Sequence, residues 1–302
     1  MRKIIAAIFS VFILMSGHAL ANAIDVNTIS NKAKQGDAEY QAVLGRLYYK
    51  GEGVQKDAKL AEKWMTKAAK QGLSEAQYSL GWMYEKGDLV KKNQRKAVQW
   101  YTKAAEQGHA QGQAALGGMY YGGRGVSANP SKAQQWLTKA AEQGHVDAQY
   151  SLAWMYYQGD KISKNRARAA QWFEQAAQRG HAKAQYSLGW MTHEGDAVPK
   201  NDLLAAQLFD SAAQLGDMDA QLALGAMFYK GDAIQQDFTA AKHWFEQAAQ
   251  QGSAKAQALL GAMYESGQGV AKSNTTARQW YAKSCNSAEK IACDDYKRLG
   301  GQ

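Results

Sequence analysis

Residues 73–108 read LSEAQYSLGWMYEKGDLVKKNQRKAVQWYTKAAEQG, and this stretch decides the fold. Its first half places apolar side chains at Ala76, Leu80, Met83 and Tyr84. These positions follow the i, i+4, i+7, i+8 spacing that puts side chains on one face of a helix. The first half of the stretch is therefore predicted to form a helix, which we call helix A.

A short basic loop separates helix A from a second predicted helix, helix B. Gly87 ends helix A, as glycine often does because it adopts the left-handed conformation at low cost. Asn93 is predicted to begin helix B, since its side chain accepts a hydrogen bond from the free amides of a first helical turn. Helix B then carries Ala97, Trp100 and Ala104 on one face.

This helix pair recurs along the chain with a period of 36 residues. One glycine series follows helix B: Gly36, Gly72, Gly108, Gly144, Gly180, Gly216 and Gly252. A second series follows helix A: Gly51, Gly87, Gly123, Gly159, Gly195, Gly231 and Gly267. The predicted first residues of helix B form a third: Asp57, Asn93, Asn129, Asn165, Asn201, Asp237 and Ser273. One pair of helices cannot bury its apolar face alone, so the repeats are predicted to stack into an all-α solenoid.

A further glycine lies inside helix A in nearly every repeat. Glycine in a helix interior costs about 0.5–1 kcal/mol relative to alanine. Alanine replaces it in one repeat, in the series Gly45, Gly81, Gly117, Ala153, Gly189, Gly225 and Gly261. A repeated cost of this kind predicts a close helix–helix approach that a larger side chain would block.

The ends of the chain are predicted to differ from the repeats. Residues 1–21 have the basic start, short apolar run and small-residue end (Ala19-Leu20-Ala21) of a signal peptide, which predicts a periplasmic or secreted protein. We expect a capping helix in residues 22–36, seven repeats in residues 37–288 and a C-terminal capping helix in residues 289–302. No later segment is apolar enough to span a membrane.

The repeat resembles the Sel-one-like repeat (SLR) family, a relative of the tetratricopeptide repeat. In one copy the resemblance rests on Ala76-Gln77, Leu80-Gly81, Met83-Tyr84, Gly87, Lys96-Ala97, Trp100, Lys103-Ala104-Ala105 and Gln107-Gly108. A tetratricopeptide array would repeat every 34 residues, so the period of 36 favours the SLR class. The resemblance implies a right-handed α-solenoid of helix-turn-helix repeats that acts as an adaptor or scaffold.

The two cysteines are expected to form a disulfide. Cys285 and Cys293 lie eight residues apart across a turn between helices, a spacing similar to that of exported cysteine-rich SLR proteins. Two cysteines in an oxidising compartment also tend to pair. We interpret the pair as a covalent link at the end of the solenoid; a redox-active pair is the alternative.

The search for catalytic or metal-binding motifs finds none. His109, His145 and His181 recur every 36 residues, but equivalent positions of stacked helices lie too far apart to share one zinc ion. The chain has no Gly-x-Ser-x-Gly or phosphate-loop motif. We therefore predict no catalytic residues, no metal site and no cofactor. A cell-wall-related enzyme or β-lactam-binding protein remains an alternative by family resemblance.

An aromatic band is the predicted binding site. It lies on the face of helix A opposite Leu80 and Met83, where a solvent-facing helix would be polar. Its members are Tyr78, Trp82, Tyr121, Tyr150, Trp154, Tyr157, Tyr186, Trp190, His193 and Tyr229. Exposed Tyr and Trp residues commonly form the hot spots of protein interfaces. The alternatives are that these rings are structural, packed on the next repeat, or that they stack on carbohydrate.

The sequence thus favours an exported protein–protein interaction module that binds its partner in a concave groove. The formal charge is +9, or +7 without Arg2 and Lys3, and basic loops between helices A and B suggest an acidic protein partner. Nucleic acid is not expected for an exported protein, and no lipid anchor is predicted. We expect a monomer. An immunity protein that neutralises a secreted lipase or phospholipase toxin is the more specific alternative.

Overall fold

The computed structural model of the chain describes residues 25–159, 162–287 and 290–301. All regular secondary structure in these residues is α-helical, which confirms the predicted fold class. The signal-peptide prediction falls outside the described residues. The chain divides into two compact units, Met1–Gln143 and Gly144–Gln302, which we call the N-terminal and C-terminal units.

The N-terminal unit consists of a short helix followed by paired helices of equal length. Its helices are α1 (Val26–Lys34), α2 (Ala38–Lys50), α3 (Ala58–Lys70), α4 (Ser74–Lys86), α5 (Gln94–Glu106), α6 (Ala110–Gly122) and α7 (Pro130–Glu142). Each helix contacts the next one in the chain, as the stacking of repeats requires.

The C-terminal unit continues the same alternation and ends in a short helix. Its helices are α8 (Val146–Gln158), α9 (Arg166–Gln178), α10 (Ala182–Glu194), α11 (Asp202–Gln214), α12 (Met218–Lys230), α13 (Phe238–Gln250), α14 (Ala254–Ser266), α15 (Asn274–Cys285) and α16 (Cys293–Arg298). Successive helices within this unit also contact one another.

The predicted helix ends are confirmed. At every helix B the predicted cap side chain accepts a backbone hydrogen bond; in α5, Asn93 Oδ1 accepts from the Lys96 amide at 3.0 Å. Every helix A from α2 to α14 ends at its predicted glycine in the left-handed conformation. The recurring histidines are also caps: His181 Nδ1 accepts a hydrogen bond from the Ala184 amide at 3.1 Å. Local capping thus sets the boundaries of the helices.

The glycines inside helix A lie against helix B of the same repeat, as predicted. A Cβ atom added to Gly81 would lie 2.6 Å from Cδ1 of Tyr101, and one added to Gly189 would lie 2.7 Å from Cε1 of Phe209. The ring fills the space above the glycine, so a larger side chain would push the two helices apart.

The core residue of helix B is not the tryptophan that the sequence suggested. Trp100 is only half-buried, and Lys103 Nζ lies 4.5 Å from the centre of its ring. The next residue, Tyr101, is 1 % exposed. Its counterparts in the other repeats are Met65, Leu137, Phe173, Phe209, Phe245 and Tyr281, all of them buried. Trp100 therefore lies at the edge of the core, where the stem of a lysine covers its ring, and Lys139 and Lys283 lie in the same way over Trp136 and Trp280.

A glutamine pair links neighbouring helices in several repeats. Gln77 is buried, and its Nε2 donates to the Ala69 carbonyl of the preceding helix B at 3.1 Å. Gln107, just after α5, donates from its Nε2 to Gln77 Oε1 at 2.7 Å. We call this arrangement the glutamine clamp; it recurs between Gln71 and Gln41, Gln143 and Gln113, and Gln251 and Gln221. The clamp satisfies buried amide groups that would otherwise destabilise the fold.

The last helix is attached to the solenoid by a disulfide and by charge. Cys285 and Cys293 are disulfide-bonded, with their Cα atoms 4.5 Å apart. Arg298 Nη2 donates to Glu265 Oε2 at 2.9 Å, and the hydrogen bonds from Arg298 and Tyr281 lower the pKa of Glu265 to about 2. Among the described residues, no helix has the length and hydrophobicity needed to cross a bilayer.

Candidate functional site

The residues of the predicted aromatic band lie on helix A and its end, and none of the ten is fully buried. Trp190 is the most exposed of the tryptophans, at 39 %. The two units carry their own parts of the band, and the larger part belongs to the C-terminal unit. We call the side chains of α8 and α10 the aromatic surface: Tyr150, Trp154, Tyr157, Tyr186, Trp190 and His193.

In α8 the three aromatic side chains surround one buried phenylalanine. Trp154 meets Tyr150 and Tyr157 edge to face, with ring centres 6.3 and 5.4 Å away. The Phe173 ring of α9 lies below, 5.7 Å from the Trp154 ring and 5.8 Å from the Tyr150 ring. The rings thus rest on the core by one edge and remain open on the other, which holds them in fixed positions.

The α10 side chains repeat this arrangement one repeat further on. Tyr186 and Trp190 meet edge to face at 6.3 Å, and both contact the buried Phe209 ring of α11. His193 lies 5.5 Å from Trp190, and its Nδ1 is 2.7 Å from Asp202 Oδ1. The imidazole is thereby anchored at the end of the aromatic surface.

A histidine connects the two helices of the aromatic surface. His181, the cap of α10, stacks on Tyr150 with ring centres 4.4 Å apart. Burial is the main cause of the lowered pKa of His181, and it outweighs the nearby Asp147 carboxylate. The ring therefore remains neutral near pH 7, which leaves Nδ1 free to accept the helix-capping hydrogen bond.

The N-terminal unit holds a smaller aromatic cluster that corresponds to the aromatic surface of the C-terminal unit. Tyr78 stacks on His109 at 5.2 Å, and Trp82 lies 5.9 Å from Tyr49, edge to face. His109 Nε2 lies 2.8 Å from Glu75 Oε2, and this hydrogen bond lowers the pKa of Glu75. His109 caps α6 and Tyr49 lies in α2, so these contacts join α4 to helix A of the next and of the preceding repeat.

Two predicted members lie apart from these clusters. Tyr121 is half-buried in α6, where its repeat has Gly118 in place of the tryptophan. Tyr229 packs on Phe238 and donates its hydroxyl hydrogen to Gln268 Oε1 at 2.6 Å. Tyr229 therefore joins its own repeat to the next one, and its hydroxyl group is already in use.

The sequence interpretation missed the supporting residues of the site. Phe173 and Phe209 fix the rings from below, and His181 fixes them at the edge. The signal was present, since the position after the tryptophan is apolar in every repeat. Each side chain of the aromatic surface contacts helix B of its own repeat, and none of the six is fully buried.

The aromatic surface is suited to binding another molecule through direct contacts. The described residues contain no group of three or more His, Cys, Asp or Glu side chains placed to hold a metal ion. The polar atoms of the aromatic surface belong to phenol, indole and imidazole groups, which can donate or accept hydrogen bonds beside large apolar faces.

The comparisons with known proteins agree with the fold. The family model of the Sel1 repeat matches seven segments: residues 38–73, 74–109, 110–145, 146–181, 182–217, 219–253 and 254–288. We number these segments repeats 1 to 7. The comparison with curated proteins gave no match.

Several solved structures resemble the chain. The structure of c5321, a protective antigen present in uropathogenic Escherichia coli strains and displaying an SLR fold, is 35 % identical with a TM-score of 0.88. The match covers 91 % of this chain but only 59 % of c5321. A Sel1 repeat protein from Oxalobacter formigenes is 34 % identical, with a TM-score of 0.76 and coverage of 91 % of this chain and 79 % of that protein.

A third likeness is weaker. The immunity protein Pa5087 from Pseudomonas aeruginosa is 18 % identical with a TM-score of 0.42, and the match covers 76 % of this chain and 88 % of that protein. At this level the likeness carries no argument about the partner of this chain.

Proposed function

The chain belongs to the Sel1 repeat family, and on that premise we propose that it is an exported interaction module that binds a protein partner on its aromatic surface. Repeats of this family typically form protein–protein interaction modules rather than enzymes. No catalytic residue, metal or cofactor is part of the proposal.

The observation that carries the proposal is the exposure of the supported tryptophans. Trp190 leaves 39 % of its surface open while its ring is held by Tyr186, His193 and Phe209. A rigid ring loses little conformational entropy when a partner covers it, and its large apolar face gains from leaving water. Tryptophan and tyrosine in such settings are the residues that most often dominate binding energy.

Export is supported by two independent features. Residues 1–21 have the pattern of a signal peptide. The Cys285–Cys293 disulfide is of a kind that persists in oxidising compartments. We therefore place the partner in the periplasm or outside the cell.

The test is affinity capture from an envelope extract with three forms of the protein. One is wild type, one carries Trp82→Ala, Trp154→Ala and Trp190→Ala, and the third carries Trp100→Ala, Trp136→Ala and Trp172→Ala. The third form is a matched control, because it removes the same number of half-buried tryptophans from helix B. Helicity and thermal unfolding of all forms are measured first.

We expect wild type and the helix B control to retain one partner that the helix A variant loses. Loss of the partner by both variants, or by the helix B control alone, would contradict the proposal. A folded helix A variant that captures the partner as well as wild type would show that the aromatic surface is structural. If the helix A variant unfolds, single substitutions of Trp190, the most exposed of the three, repeat the comparison.

A further inference from the structure

The exposed side of α11 in repeat 5 carries an unusual number of leucines. Leu203, Leu204 and Leu215 are 58, 43 and 57 % exposed, and they are three of the five large hydrophobic side chains that are exposed among the described residues. Leu208 is half-buried one turn after Leu204. At 100° per residue, Leu204, Leu208 and Leu215 lie within about 40° of one another, and Leu203 lies about 100° from Leu204 at the other edge of the exposed side, with Gln207, Ser211 and Gln214 between them. We call these four side chains the leucine face.

The other repeats show what normally occupies these positions. Where repeat 5 has Leu204, Leu208 and Leu215, repeat 2 has Lys96, Trp100 and Gln107, and repeat 3 has Lys132, Trp136 and Gln143. Every other helix B contains at least one lysine or arginine, whereas α11 contains none. The repeat therefore has leucine in place of lysine, tryptophan and glutamine at three positions that share one side of the helix.

This replacement removes interactions that stabilise the other repeats. Lys96 Nζ lies 4.8 Å from the Tyr84 ring, but in repeat 5 the equivalent residues are Leu204 and Thr192. Leu215 takes the place of the clamp glutamine, and the buried Oε1 of Gln185 has no hydrogen-bond partner as a result. Leucine at position 215 leaves a buried acceptor without a hydrogen bond and also exposes an apolar side chain to water. Both effects are unfavourable for the isolated chain. Such a departure from the local pattern is expected where a surface has a binding role.

The charge around the leucine face differs from the rest of the chain. Residues 182–253 contain nine carboxylates and four lysines, whereas residues 38–143 contain sixteen lysines and arginines against nine carboxylates. Asp210 lies on α11 itself, and its carboxylate accepts a hydrogen bond from Gln214 at 2.7 Å without an ion pair among the described residues. Asp202, at the start of α11, lies 3.5 Å from Lys200 Nζ, so its charge is compensated within the repeat, and Asp217 follows α11 as the cap of α12. Asp210 borders the leucine face on the side of Leu203, about 20° from it around the helix, and the surrounding segment carries an excess of carboxylates over lysines.

We propose that the leucine face binds a basic amphipathic helix of a protein partner. An aliphatic stripe on one helix pairs with apolar residues at i, i+3, i+4 and i+7 of another, and flanking lysine or arginine residues would meet the carboxylates of repeat 5. A second copy of the chain fits less well, because two leucine faces in contact would bring together the Asp210 carboxylates and the excess negative charge of repeats 5 and 6 from both copies. The leucine face lies on helix B, so this interaction is separate from the aromatic surface.

The test uses a variant built from the residues of the neighbouring repeats: Leu204→Lys, Leu208→Trp and Leu215→Gln. This variant is expected to fold at least as well as wild type, since the same residues occupy these positions in repeats 2 and 3. The probe is a synthetic leucine–lysine amphipathic helix of about 18 residues, or five turns. A scrambled peptide of the same composition and a leucine–glutamate version serve as controls. Calorimetry measures the binding at physiological salt.

We expect wild type to bind the leucine–lysine helix and the variant to bind it at least about tenfold more weakly, because the apolar contacts of Leu204 and Leu215 are lost and a lysine at position 204 repels the basic peptide. The scrambled and glutamate peptides should bind wild type weakly. Equal binding by the variant, or equal binding of the scrambled peptide, would overturn the proposal.

Two further measurements exclude the other occupants. If wild type forms a dimer in sedimentation experiments and the variant is a monomer, a second copy covers the face. If wild type binds vesicles of phosphatidylcholine and phosphatidylglycerol and the variant does not, the face binds lipid. Either result would overturn the proposal. A Trp154→Ala/Trp190→Ala variant should bind the peptide as wild type does, which separates this site from the aromatic surface.

Discussion

Replacing Leu215 by glutamine is expected to stabilise the C-terminal unit. Gln185 donates from its Nε2 to the Ala177 carbonyl at 3.2 Å, but its buried Oε1 has no partner. In repeat 2 the equivalent acceptor, Gln77 Oε1, receives a hydrogen bond from Gln107 at 2.7 Å. A glutamine at position 215 would supply the missing donor and complete the glutamine clamp of repeat 5.

The expected change in the free energy of unfolding has two contributions. A hydrogen bond to an otherwise unsatisfied buried acceptor contributes about 1 kcal/mol or slightly more. Leu215 is already 57 % exposed, so its removal sacrifices little apolar burial. The net gain is about 1 kcal/mol, which corresponds to a rise in melting temperature of roughly 2–4 °C for a cooperative unit of this size.

Calorimetric and urea unfolding of wild type, Leu215→Gln and Leu215→Ala provide the assay. The alanine variant removes the leucine without adding a donor, so it isolates the hydrogen bond. The reverse change, Gln251→Leu, should destabilise repeat 6 by about 1–2 kcal/mol, because Gln221 then loses its donor. If Leu215→Gln is no more stable than Leu215→Ala, the hydrogen bond of the glutamine clamp adds nothing to the free energy of unfolding, and this explanation of the clamp is wrong.

Three other outcomes follow from single contacts. Gly117→Ala should destabilise the N-terminal unit by about 1–3 kcal/mol, because the new Cβ would lie 2.8 Å from a core leucine side chain. In its neighbour Gly118→Ala the new Cβ would lie 3.5 Å from Arg124 Nη2, an ordinary contact, and the change should add about 0.5–1 kcal/mol of stability, so thermal unfolding that ranks the two variants alike would contradict this account. Asn93→Ala should cost about 1 kcal/mol in the same assay through loss of a helix cap, whereas Asn93→Asp should be neutral. The folded pKa of Glu265 is lowered to about 2, so its contribution is present above pH 4.5 and lost as the pH falls towards 2. Hydrogen exchange in α16 should rise over that range, and Arg298→Gln should weaken this pH dependence, since only the hydrogen bond from Tyr281 then remains; a variant that retains it in full would argue against the pair.

The repeat architecture was predictable because it depends on local signals. Glycine after helix A and Asn, Asp or Ser before helix B recur in every repeat, and each satisfies backbone groups at a helix end by itself. The glycine inside helix A also predicted a close contact, since no other reason for its repeated cost was apparent. These features need no knowledge of the neighbouring helix.

The exact core position was harder to predict. Trp100 and Tyr101 are adjacent and 100° apart on the helix, and both recur as apolar residues. The larger and more regular tryptophan series suggested the core, but the lysine three residues later draws that ring towards the surface. Only the packing of two helices decides which of two neighbouring apolar residues faces inward.

The glutamine clamp and the leucine face could not be recognised from the sequence alone, because their significance depends on contacts between residues of separate helices. Gln77 and Gln107 are thirty residues apart, and their hydrogen bond appears only when helices A and B are placed side by side. Leu215 is an ordinary surface leucine in isolation, and its significance comes from the donor it replaces. The aromatic residues of the site were identified from helical spacing, whereas their support by Phe173 and Phe209 required the structure.

The most direct test of the proposed function is photocrosslinking in cells that produce the protein. A photoreactive phenylalanine analogue is placed at Trp154 or Trp190 on helix A, and at Trp136 or Trp172 on helix B as matched controls. The account predicts one crosslinked protein partner from positions 154 and 190 and none from positions 136 and 172. Crosslinks from the helix B positions alone, or equal crosslinks from all four, would contradict it.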